Sequence, residues 1–85
     1  MAYRVLLARA AVRELRDLAL PIRHRMTTAL TALARNPRPP GAILLKGPDP
    51  IWRIRVGDYR ILYLIEDERL TVVVIRVRHR SDAYR

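Results

Sequence analysis

Arginine, histidine and tyrosine crowd the last ten residues, "RVRHRSDAYR" (76–85), directly after the apolar run "LTVVVI". Imidazole is the side chain best suited to move a proton near neutral pH, which singles out His79. A guanidinium such as Arg80 can stabilise the charge of a phosphorane-like transition state, and a phenol such as Tyr84 can orient or donate. Together these types suffice for metal-free RNA cleavage, in which a 2′-OH attacks the adjacent phosphate. A second basic set precedes them. Arg53 and Arg55 share one face of the alternating segment "IWRIRV", because strand side chains alternate with period two. Arg60 opens the next apolar segment, and Arg76 and Arg78 share a parity opposite to Val77 and His79. Alternation alone is also what a half-buried strand with a solvated face produces, and a lone Arg60 is also what a strand end reaching for water looks like. Hairpin register is open at this level, so the sequence does not show that these arginines meet. His24, between Arg23 and Arg25, reads as solvated helix surface.

The rest of the chain must position those groups. Eighty-five residues suit one small domain, residues 1–85, with a single core. That core is aliphatic, with no Phe and only Trp52 and four tyrosines as aromatics. "YRVLLA" (3–8) reads as a strand, and 9–20 and 21–36 as two helices with apolar stripes, broken at "LP". A break that short implies a helical hairpin. "NPRPPG" (36–41) is a loop, "AILLKG" (42–47) a short strand, and strands follow at 51–56, 59–65 and 70–78, with turns at "GD" and "EDER". The predicted order β-α-α-β-β-β-β is an α+β fold: a helical hairpin on one face of a mostly antiparallel sheet, leaving the other face open.

Composition narrows the chemistry. Cysteine is absent, which excludes disulfides, thiol catalysis and cysteine metal sites. No glycine-rich phosphate loop or H-x-x-x-H helix is present, so neither cofactor nor metal is expected, and the single serine gives a serine triad little support. The first residues are interrupted by Arg9 and Arg13, so no leader is expected there, and no run reaches the roughly 20 apolar residues of a membrane span. A cytoplasmic protein without membrane contact is the expectation. The net charge of +9, almost all arginine, points to a polyanion or an acidic protein partner.

"LLKG", "WRIRVGDYRILYLIEDE" and "RVRHRSDAYR" together resemble the RelE/ParE superfamily of type II toxin–antitoxin toxins, over nearly the whole chain. The ending looks more like the RelE branch, whose members are mRNA interferases, than the gyrase-inhibiting ParE branch. The resemblance implies a metal-independent endoribonuclease that cuts mRNA in the ribosomal A site, against 16S rRNA. It also implies a cognate antitoxin, and operator DNA bound through that antitoxin. Carried over, the basic pair falls on Arg53 and Arg55, the following arginine on Arg60, the arginine after the last strand on Arg80 and the terminal tyrosine on Tyr84. His79 stands where many members have a histidine or another basic residue. The best-known pattern has lysines at the positions of Arg53 and Arg55. Arginine does not give up its proton, so these two are read as phosphate binders and His79 as the proton carrier. A ParE-like gyrase inhibitor and a non-catalytic antitoxin-binding relative are the alternative readings.

Overall fold

The structure, a computed structural model, describes residues 2–82. Strand β1 (Arg4–Leu7) leads into helix α1 (Arg9–Arg16), which buries Ala11. The helix ends four residues sooner than its apolar spacing predicts. Arg23 Nη2 donates to the carbonyls of Arg16 and Leu18 at 2.8 and 2.9 Å, satisfying groups that a helix end leaves without intrahelical partners. Helix α2 (Leu20–Arg35) carries Pro21 in its first turn, where the missing N–H costs nothing. Its Met26 and Leu33 are fully buried, whereas Thr27, Thr28 and Thr31 are exposed and donate to carbonyls four residues back.

The proline-rich loop leaves little room for strand, so β2 is only Ile43–Leu44, shorter than the 42–47 expected. Strands β3 (Trp52–Val56), β4 (Tyr59–Glu66) and β5 (Thr71–His79) follow as a meander. The sheet order is β1-β5-β4-β3-β2; β1 runs parallel to β5 and every other pairing is antiparallel. This is the expected α+β arrangement. Ile54, Ile61, Tyr63, Val72, Val74 and Val77 form one core with Ala11, Met26 and Leu33. Tyr63 is fully buried and donates its hydroxyl to the Pro37 carbonyl at 2.8 Å. Burial pushes its phenol up to about 12, so it stays neutral.

Pairing passes from Leu62–Arg76 to Tyr63–Val74, so Ile75 is a one-residue bulge. The bulge resets the parity of β5. Val72, Val74 and Val77 can then all enter the core while Arg76 and Arg78 pair in register with Leu62 and Arg60.

β1 accompanies β5 only as far as Val74, and α1 covers the edge beyond. There Glu14 accepts the Val77 N–H at 2.7 Å and the Arg76 guanidinium at 2.9 Å. One carboxylate thus fills a bare strand edge and neutralises an arginine. At the β4–β5 turn, Asp67 accepts from the Tyr3 hydroxyl at 2.6 Å and from both Arg38 terminal nitrogens at 3.2 and 2.8 Å. Arg38 also lies over the Trp52 ring, 5.3 Å from its centroid.

Candidate functional site

The site is built at the opposite end of the sheet, around the two-residue turn between β3 and β4. Gly57 adopts φ +61°, which favours glycine, and the Arg25 guanidinium lies 3.1 Å from where a Cβ would stand. The turn sets the register Val56–Tyr59, and this places Arg55 opposite Arg60 and Arg60 opposite Arg78. One row of three arginines therefore crosses three strands on the open face. A second row, Arg53–Leu62–Arg76, lies one step further along. Like charges directly opposite one another weaken a sheet, so local stability does not account for the first row.

After β5, the chain turns through a short 3₁₀ segment, Arg80–Asp82. The Arg80 N–H donates to the Asp58 carbonyl at 2.8 Å, docking this segment on the β3–β4 turn. The result is a groove of about 430 Å³ lined by Arg55, Gly57, Asp58, Tyr59, Arg60, Arg80 and Ser81. Arg55 and Arg80 make no ion pair with any described residue. Among the described residues, the lining carries three guanidinium groups and one carboxylate, a balance that favours an anion.

The sequence-predicted residues divide accordingly. Arg55, Arg60 and Arg80 come together in the groove. Arg53 is half-buried in the neighbouring row. Arg76 is paired with Glu14, which raises the pKa of its guanidinium further. Arg78 belongs to the groove row but gives its Nη2 hydrogen to the Asp82 carbonyl at 3.1 Å. His79 pairs with Tyr59 in register, on the opposite face from Arg78. Its ring stands edge-on to Tyr59, centroids 5.1 Å apart and planes at 87°. His79 is thus behind the groove wall rather than in it, touching Tyr59 and Ser81, both of which line the groove. Tyr84 lies outside the described residues.

Asp58 and Ser81 were not singled out by sequence. The available signal was position: a turn joining two arginine-bearing strands must sit beside those arginines. Among the described residues no group of three His, Asp or Glu could hold a metal ion, and no helix is long and apolar enough to cross a membrane.

A basic α+β domain with this sheet order and an arginine groove at one sheet end defines a class. The chain belongs to the RelE/ParE superfamily of toxins of type II toxin–antitoxin systems. The family described as "ParE toxin of type II toxin-antitoxin system, parDE" matches residues 5–84. Individual relatives carry RelG, RelE and RelBE names. Toxin RelG of Mycobacterium tuberculosis is 45% identical over 53 residues, a segment that spans 62% of this chain and 61% of that toxin. The toxin–antitoxin complex RelBE2 of Mycobacterium tuberculosis contains a chain 33% identical, with TM-score 0.85, covering 96% of this chain and 95% of that one. The archaeal RelE–RelB complex of Pyrococcus horikoshii gives 26% identity and TM-score 0.85, covering 98% and 100%.

Proposed function

We propose that this chain is the toxin of a RelBE-type pair and a metal-independent endoribonuclease acting on mRNA at the ribosomal A site in the cytoplasm. One observation carries the reading: Arg55, Arg60 and Arg80, from two strands and the turn after a third, converge on a groove whose described lining holds one carboxylate. Arginine binds phosphate in a bidentate fork and keeps its charge at any working pH. Arg55 and Arg60 seat the scissile phosphate between adjacent nucleotides. Arg80, presented from the turn above them, stabilises the charge that builds on phosphorus.

Cleavage also needs a base. Among the described lining groups, arginine cannot take up a proton, and the Ser81 hydroxyl and Tyr59 phenol are poor acceptors at neutral pH. Asp58 is the acceptor that remains, so we assign it the proton of the attacking 2′-OH. The new bond runs from the 2′-oxygen to phosphorus, and the bond from phosphorus to the 5′-oxygen breaks. The products are a 2′,3′-cyclic phosphate and a 5′-oxygen that takes its proton from water. A carboxylate beside a phosphate is unfavourable by itself, and three guanidinium groups around the pair offset that repulsion.

A cognate antitoxin of the RelB type is the protein partner, as in the RelBE2 and RelE–RelB complexes, and operator DNA would be reached through it. The test is to add purified chain to a reconstituted translation reaction and map message 5′ ends. Cuts within translated codons, bearing 5′-hydroxyl ends, are expected. Intact message together with blocked supercoiling by purified gyrase would overturn the reading in favour of a ParE-type activity, which the family match makes the relevant competitor.

A further inference from the structure

We infer that Arg78 and His79 are positioning residues that clamp the Arg80–Asp82 turn from opposite faces of the sheet. The inference rests on the groove reading above and concerns how Arg80 is held in it. Successive strand residues point to opposite faces, so neighbours at a strand's end can grip the departing chain from both sides. On the open face, Arg78 Nη2 donates to the Asp82 carbonyl at 3.1 Å. On the helix face, His79 Nδ1 accepts the Ser81 N–H at 3.2 Å and lies 2.8 Å from Ser81 Oγ. An Nδ1 that accepts an amide hydrogen carries no proton of its own, so the neutral ring bears its hydrogen on Nε2. The imidazole is itself braced edge-on against Tyr59. Among the described residues, the Arg80 N–H also ties this turn to the Asp58 carbonyl.

Both residues therefore act on the groove through the segment that carries Arg80 and Ser81. The two halves of the clamp differ in chemistry: the Arg78 half offers a guanidinium donor to a carbonyl, and the His79 half an imidazole acceptor to an amide.

The test combines RNA cleavage with amide hydrogen exchange on the RNA-free protein. His79→Ala should lower cleavage ~10- to 100-fold, the scale of misplacing a group by about 1 Å. His79→Asn should recover most of that loss, because its Oδ1 offers an acceptor close to where Nδ1 stands. In the RNA-free chain, Arg78→Ala and His79→Ala should each speed exchange at Ser81 and Asp82, and His79→Asn should not. If His79→Asn is as inactive as His79→Ala while exchange stays at wild-type rates, His79 moves the proton itself and the clamp is wrong. Unchanged exchange in both alanine variants would equally overturn it. A wild type that cuts no RNA removes the nuclease reading, yet the exchange measurement still decides the clamp.

Discussion

Each end of the sheet sets arginine beside aspartate, and the two ends use the pairing in opposite ways. At the β4–β5 turn, Asp67 takes hydrogen bonds from Arg38 and Tyr3, and Arg38 covers Trp52, so the charges there are matched. At the β3–β4 turn, Asp58 sits in one groove with Arg55, Arg60 and Arg80, and neither Arg55 nor Arg80 has an ion-pair partner among the described residues. The first cluster ties the N-terminal strand and the proline-rich loop to the sheet. The second leaves positive charge in excess and stacks like charges across neighbouring strands. Sites that break the rules of local stability are where function is expected, and the row of facing arginines at the β3–β4 end is such a break.

Substitutions at the two ends should therefore separate activity from stability. The largest effect is expected for Arg80→Ala: a loss of ~100- to 1,000-fold in RNA cleavage, as for removal of one transition-state donor, with an unchanged circular dichroism spectrum. Asp58→Asn should follow at about 100-fold if the carboxylate accepts the proton, read as the single-turnover rate on ribosome-bound message. Arg55→Thr should cut activity about 10-fold yet raise the melting temperature, because it relieves the repulsion opposite Arg60 and suits a strand. Arg38→Ala should do the reverse, lowering the melting temperature while leaving cleavage within about twofold.

The smallest effect concerns acid. Hydrogen bonds from Arg38, then from Tyr3, hold the Asp67 carboxyl at about 2, below its usual 3.8. A carboxyl with a lowered folded pKa stabilises the fold fully above the unfolded value and progressively less as pH falls through the folded one. Wild type should thus lose stability between about 4 and 2 in thermal melts, and Asp67→Asn should show a shallower slope over that interval.

Periodicity made most of the architecture legible. Two apolar stripes broken at Leu20–Pro21 gave the helical hairpin, and the Gly57–Asp58 pair gave the β3–β4 turn. Three things were not legible, each for a physical reason. Which arginines meet depends on register, and register follows from turn geometry and the bulge at Ile75 rather than from residue type. α1 stops at Arg16, where a side chain from α2, Arg23, donates to the Arg16 carbonyl and to that of Leu18 just beyond, a tertiary contact invisible to spacing. That His79 braces Ser81 instead of entering the groove depends on the 3₁₀ turn at Arg80–Asp82, which the parity of strand β5 does not reveal.

The most direct test of an open, RNA-cutting arginine groove is to map mRNA 5′ ends in cells after brief induction of wild type, Arg80→Ala and Arg38→Ala at matched protein levels. New ends within translated codons for wild type and Arg38→Ala, and their loss in Arg80→Ala, are the predicted result. Equal cleavage by Arg80→Ala and wild type would contradict the account.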